Sequence, residues 1–320
     1  RIKNTFFNDL TTLNTNLIND SNSQDTSIFK NLKTKLIVRS LNRENWHYHF
    51  GIDLQKESAN GKRLKNNFQD LSDYAFFYST EYLIRKKLII KPGIRFIYNT
   101  KYRAPIIPSF NLLYDLNPFK IRCSFAKGFR APTLKELFLD FVDVNHNIVG
   151  NTNLVAEESN NYRLNMDYIF KRKSYKYALD FTVFYNQINN KIELSNIENN
   201  LSQYTYLNIN QNITKGMSSN FKFTGTYINF NLGFSYIGRY DDLIGQNTLN
   251  KFVFSKEFTA SSFINLNSSL KFNLYYKYNG SIPYFVLNNN EDLVEYNSDS
   301  YHSLDASINK NFIDYNTQLK

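Results

Sequence analysis

His146 is the residue of this 320-residue chain best suited to hold a ligand. It stands in a long polar segment from Arg130 to Ala156, beside Asp143, Asn145 and Asn147, and a neutral imidazole binds iron well. A lone imidazole among carboxamides also reads simply as a solvated loop residue. His47 and His49 share one face at i and i+2, close enough to bind a metal together. Without a third histidine or a carboxylate at fixed spacing they read as polar wall residues, because metal sites need three or four ligands. His302 has no evident partner in the sequence. Cys123 is the single cysteine, so it closes no internal disulfide and supplies no cysteine-based zinc or iron–sulfur site. Serine, aspartate and histidine are too dispersed to nominate a nucleophile–base pair, and no glycine-rich phosphate loop occurs. No enzymatic activity is expected.

The elements that carry these residues follow from periodicity. Apolar side chains recur at every second position through most of the chain, which is the side-chain period of a strand. From Trp46 one face reads Trp46, Tyr48, Phe50, Ile52, Leu54, and the other His47, His49, Gly51, Asp53, Gln55. The alternation returns from Tyr162 to Phe170, Tyr175 to Tyr185, Ile228 to Tyr240 and Leu270 to Tyr278. Several segments hold phase for about ten residues; at about 3.3 Å each and tilted about 45° they cover roughly 23 Å, the apolar band of an outer-membrane barrel. Strands of soluble domains are usually about half as long. Tyr175 and Tyr185 then fall where interfacial aromatics belong. Only 42% of residues are hydrophobic and no run of about 18 apolar residues occurs, which rules out helical spans. The net charge of +10 is spread singly along polar faces, as at Lys271 and Lys277, so no nucleic-acid partner is expected.

Short and long connections alternate. Short ones fall at Arg85–Lys87, Leu116–Pro118, Lys171–Ser174, Gly225–Tyr227 and Leu266–Ser268; long ones run over Lys56–Asp70, Arg130–Ala156, Asn189–Ser202, Asp241–Leu249 and Ser281–Ser300. The short link Asn99–Tyr102 on the long side is an exception. This is the layout of an all-β, antiparallel up-and-down transmembrane β-barrel, with about fourteen strands and a fifteenth beginning near the end, at roughly ten tilted residues per strand. The tract from Leu207 through Phe223 keeps phase across Gly216 and reads as one strand projecting past the membrane. Pro92 interrupts the strand from Leu88 to Tyr98 and predicts a bulge or bend at Pro92-Gly93, since proline donates no ladder bond. A soluble sugar-binding β-sandwich is an alternative, and would bury the aromatic faces in a core.

Two boxes carry a family resemblance. Gly128, Phe129, Arg130, Ala131, Pro132, Leu134, Glu136 and Leu137 fit a GFRAP-x-L-x-E-L pattern; Gly150, Asn151, Leu154, Glu157 and Ser159 fit G-N-P-x-L-x-x-E-x-S, with Thr152 in place of its proline. Together with Asp73-Tyr74-Ala75, Pro92-Gly93-Ile94-Arg95, Pro108-Ser109-Phe110 and Leu304-Asp305 before Lys310, the chain resembles the late barrel of TonB-dependent outer-membrane receptors. The resemblance implies a barrel of about 22 strands, of which residues 1–320 would supply about 14 or 15, together with an internal plug. It implies uptake of haem or another iron chelate, with cobalamin next and a glycan or peptide third, as cargo rather than as intrinsic cofactors. Energy would come from a TonB–ExbB–ExbD complex acting through the plug.

The plug, a TonB box, about six early strands and the last strands are expected to lie outside this chain. An open sheet exposes unpaired edges to lipid, so this segment alone is not expected to form a stable barrel. Outer-membrane lipid and lipopolysaccharide are expected surroundings, and the resemblance leaves room for a surface lipoprotein. Arg130, on the polar face near the plug, is expected to hold carboxylates bidentately, with Glu136 and Glu157 as rim partners. His146, between the boxes as in haem receptors of the family, becomes a candidate haem-iron ligand. Asp143, Asn147 and Arg130 join it as cargo-contact candidates. A cargo-free structural or adhesive barrel remnant is the alternative.

Overall fold

The computed structural model describes residues 2–14, 24–40, 45–142, 146–197, 200–242, 252–267, 269–287, 293–312 and 317–319. In chain order these form β1 (Ile2–Asn14), β2 (Gln24–Arg39), β3 (Trp46–Gly61), β4 (Phe68–Ile84), β5 (Leu88–Asn99), β6 (Ile107–Leu116) and β7 (Phe119–Arg130). A short helix α1 (Leu134–Phe138) and a small hairpin of β8 (Phe141–Val142) and β9 (Asn147–Val149) follow. Then come β10 (Glu157–Arg172), β11 (Tyr175–Ile197), β12 (Asn200–Thr224), β13 (Ile228–Asp242), β14 (Val253–Asn265) and β15 (Leu270–Asn279). A hairpin of β16 (Pro283–Leu287) and β17 (Leu293–Asn297) precedes β18 (Tyr301–Phe312) and β19 (Thr317–Leu319).

Strands β1 to β7, β10 to β15, β18 and β19 form one antiparallel up-and-down sheet, each strand pairing with the next in that order. Among the described residues β1 pairs only with β2, and β19 only with β18. The sheet is part of a barrel, with two lateral edges.

Its two faces differ as the alternation demands. Leu32, Phe50, Ile52, Tyr74, Phe76, Phe96, Phe110, Tyr162, Leu164, Leu179, Leu232 and Phe234 all lie on one face and stay between 38% and 48% exposed. No second sheet covers them among the described residues, which removes the sandwich alternative. The opposite face carries the ion pairs Arg95–Asp53 at 3.2 Å and Lys277–Glu257 at 2.8 Å, and Arg122–Asp167 as well. His49 lies there too, 2.8 Å from Ser79 Oγ. His302 is on the apolar face, with its Nδ1 2.7 Å from the Tyr276 hydroxyl.

Two expected loops are ladder instead. β3 and β4 stay paired up to Asn60–Phe68, and β11 and β12 up to Asn196–Tyr204, so Lys56–Asp70 and Asn189–Ser202 are largely hairpin. Backbone pairing needs no apolar face, so polar side chains on both sides erased the signal and left the hydrogen bonds intact. With 23 and 25 residues, β11 and β12 outreach the apolar band. Ser281–Ser300 contains the β16–β17 hairpin. Asp241–Leu249 lies outside the described residues beyond Asp242.

Pro92 makes no bulge. The β4–β5 register is the same on both sides of it, Ser79–Gly93 above and Tyr82–Ile90 below, and only the bridges between these pairs lapse. The other edge stays continuous, with Pro92 opposite Phe110. The missing N–H thus costs a local gap on the β4 side without shifting either strand.

The turn Ile84–Lys87 puts Arg85 and Lys86 at φ 52° and 57°, closed by the Lys87 N–H donating to the Ile84 carbonyl at 3.2 Å. Two consecutive positive φ values make it the turn that prefers Asn-Gly. Changing Arg85→Asn with Lys86→Gly is therefore expected to stabilise the protein by about 1 kcal/mol, read as a shifted urea midpoint.

Candidate functional site

The packed apolar clusters lie on the polar face of the sheet, at the rim where β7 ends. Pro132 and Leu137 are fully buried there. Leu134 packs with Phe29, Ala59, Leu64 and Leu71 from β2 to β4; Leu137, one helical turn on, packs with Leu154 and with Ile192 of β11. Five strand spacings separate β4 from β11, about 24 Å in a flat sheet, whereas one helical turn rises about 5 Å. Only a curved wall lets one short helix touch both, so the polar face is the concave interior.

Local sequence explains the helix. Thr133 caps it, accepting from the Glu136 N–H at 3.3 Å, while Glu136 Oε2 accepts from the Thr133 N–H at 2.7 Å, a capping box. The same carboxylate holds Arg130 Nη1 at 3.0 and 3.1 Å. Arg130 then grips Glu157, its cross-strand partner, through Nε at 2.8 Å and Nη2 at 2.6 Å. Glu157 Oε1 also accepts the Ile192 N–H at 2.7 Å. One guanidinium therefore joins the end of β7, the start of β10, α1 and, through Glu157, β11.

The second box is sewn to the opposite wall. The Asn151 N–H donates to the Glu136 carbonyl at 2.9 Å and its Nδ2 to the Tyr206 carbonyl at 2.8 Å. Lys65 Nζ donates to the Gly150 carbonyl at 3.0 Å, and β9 pairs in parallel with β12 at Ile148–Tyr204 and Val149–Thr205. Gly150 is required by close approach: a Cβ there would lie 2.8 Å from the Phe138 nitrogen and 2.9 Å from the Leu137 carbonyl carbon.

Electrostatics follow the packing. Burial alone would raise the Glu157 carboxyl, but the Arg130 hydrogen bonds and the Ile192 amide outweigh it and hold the carboxyl below its ordinary value. Arg130 is correspondingly raised, first by its hydrogen bond to Glu157. Burial, then the Glu136 carboxylate, push the Tyr102 and Tyr206 phenols up. A carboxyl held low stabilises the fold above its ordinary value, and that stability is lost as pH falls through the lower folded value. Hydrogen exchange at the Ile192 amide, corrected for intrinsic rate, is therefore expected to stay slow down to pH 4.5 and to accelerate below it. Glu157→Gln should flatten this dependence.

His146 is exposed, its ring tilted against Phe141 at 4.9 Å, beside Asn147, which opens β9. Asp143 lies outside the described residues. Phe129 lies on the lipid-type face, opposite Glu158, Gly128 sits inside β7 opposite Ser159, and Ala131 leads from β7 into the loop. Among the described residues no three His, Cys, Asp or Glu side chains converge on a metal position. The residues that sequence reasoning passed over are Tyr102, Tyr206, Ile192, Lys101 and Lys135. Lys101 Nζ sits 4.5 Å from the Phe138 ring centre and Lys135 Nζ 4.7 Å from that of Phe29, cation–π contacts that spacing does not announce. What the described residues offer at this rim is a mixed set of charges, Arg130 with Glu136 and Glu157 beside Lys101 and Lys135, with two half-buried phenols above a polar interior.

Residues 1–319 match the family described as TonB dependent receptor-like, beta-barrel. The siderophore receptor PirA from Acinetobacter baumannii superposes with a TM-score of 0.69 at 14% identity, over 92% of this chain and 50% of that one. A ferric enterobactin receptor, PfeA, from Pseudomonas aeruginosa, solved with enterobactin, gives 0.70 at 14%, over 97% and 51%. The FrpB iron transporter from Neisseria meningitidis gives 0.67 at 12%, over 90% and 49%. The chain thus spans about half the length of these proteins, and at such identities the likeness is one of fold. No curated protein matches it at the sequence level.

Proposed function

Because this chain belongs to the TonB-dependent receptor β-barrel family, we propose that it forms much of the wall of an outer-membrane receptor that imports an iron chelate. The observation that carries this reading is the two-faced sheet with the Arg130 loop folded into its polar side. Such a wall suits lipid outside and an aqueous passage within. The lysines and phenols at this rim suit an iron chelate with anionic groups, in keeping with the siderophore and ferric enterobactin receptors among the structural neighbours. A plug inside the wall would receive TonB–ExbB–ExbD energy. Haem through His146 and cobalamin have no comparable support.

The test is uptake by cells carrying the full-length receptor as their sole iron receptor, with ferric enterobactin, haemin and cyanocobalamin as separate probes. TonB-dependent accumulation of iron from the ferric chelate is expected. Uptake of haemin alone, lost on His146→Ala, would transfer the reading to haem. No uptake of any probe would favour the cargo-free remnant.

A further inference from the structure

Two short turns break the single spacing of the cations. Arg85, Lys86 and Lys87 join β4 to β5, and Lys171, Arg172 and Lys173 end β10 and turn into β11. All six are exposed. Both turns lie at the short-turn end of the sheet, the periplasmic rim of such a barrel. Lys87 stands beside Asp115, whose carboxylate is held by Lys120 at 2.9 Å. Among the described residues the other five meet no carboxylate.

Stability alone would not place cations here. Arg85, Lys86 and Lys173 hold φ values of 52°, 57° and 51°, left-handed backbone that glycine or asparagine adopts more readily. Lys171 and Lys176 are direct cross-strand partners, and like charges set opposite each other weaken a ladder. Lys222 joins their face, two residues above Thr224, the partner of Lys176. The next carboxylates up this face, Asp167 and Asp180, are engaged by Arg122 and by the Asn165 carboxamide. Strain and repulsion kept at exposed positions mark a role outside the chain's own folding.

Lys171, Lys176 and Lys222 stand on the concave side, turned away from lipid, and Lys86 and Lys173 sit at the tips of their turns. We propose that the two turns, with Lys176 and Lys222, form a docking surface for an acidic segment of a separate periplasmic polypeptide. The turns are four strand spacings apart, about 19 Å along the wall, which an extended segment of about six residues spans. Carboxylates on such a segment would meet Arg85 and Lys86 at one end and the lysines of β10 to β12 at the other. The β6–β7 turn between them is already neutralised by its Asp115–Lys120 pair. This rests on the outer-membrane location proposed above and is separate from energy transfer through a plug.

Cell envelopes containing the full-length receptor are treated with a carbodiimide, which joins a lysine amine directly to a touching carboxylate, and the products are mapped by mass spectrometry. Lys86, Lys171, Lys173 or Lys176 is expected to be joined to Asp or Glu within an acidic segment of another polypeptide. Joining to the receptor's own carboxylates alone, or no joining, overturns the proposal. Purified receptor in a disc of neutral lipid should bind a labelled hexaglutamate peptide and not hexaglutamine. Arg85→Asn with Lys86→Gly and Lys173→Gly should weaken that binding roughly tenfold while raising the unfolding midpoint, which separates docking from folding. Lys30→Gln with Lys56→Gln and Lys62→Gln, an equal charge change at the opposite rim, should leave binding unchanged. Equal weakening by both triple variants, or loss of peptide binding when the disc contains phosphatidylglycerol, overturns the site while leaving the location intact. A receptor absent from the outer-membrane fraction removes the location and the site with it.

Discussion

Arginine in place of Leu232 is expected to destabilise the full-length receptor by about 2–4 kcal/mol, whereas arginine in place of the adjacent Asn231 is expected to be nearly neutral. Leu232 is the centre of the outward row Ile228, Phe230, Leu232, Phe234, Tyr236, where a guanidinium would meet hydrocarbon. Asn231 points inward, opposite Ser261 and Lys222, where water and polar groups can solvate the charge. Equilibrium unfolding in urea from lipid vesicles reads both. Equal costs would mean that the two faces do not see different solvents.

Leu137→Ala is expected to open the rim loop at a cost of about 2–5 kcal/mol, because Leu137 is 1% exposed and the helix cannot collapse into the space without losing Leu154 and Ile192. The loss should appear locally, as faster exchange of the Asn151 amide bonded to Glu136, with the strand amides unchanged. Arg130→Ala should cost much less, about 1 kcal/mol, since the guanidinium is 42% exposed and water screens its pairs. Apolar burial thus anchors the loop, and the ion pairs orient it. If Arg130→Ala exposed Asn151 as fully as Leu137→Ala, that order would be reversed.

The strands were legible because Phe and Tyr alternate with Asn, Lys and Asp wherever one face meets an apolar medium and the other water. Beyond the apolar band the alternation stops although pairing continues, which is why the tops of β3, β4, β11 and β12 read as loops. The Arg85-Lys86 turn was placed by its polarity, but its backbone type was hidden, since neither residue favours positive φ. The Arg130–Glu136–Glu157 group was legible through its two boxes. The packing beneath it left a fainter trace: Phe29, Leu71 and Ile192 are apolar residues on the phase that is otherwise Ser27, Asn31, Asp73 or Asn190. Such misplaced side chains on a polar row mark where another segment folds against the wall.

The short helix bears on β2 to β4 with one side and on β11 with the other, and so acts as a strut across the concave side of the wall. An open curved wall braced this way resists flattening between the braced strands and yields more readily toward its two edges. The curvature of the wall between β4 and β11 is thus set by α1, and a shorter helix would draw these two flanks toward each other.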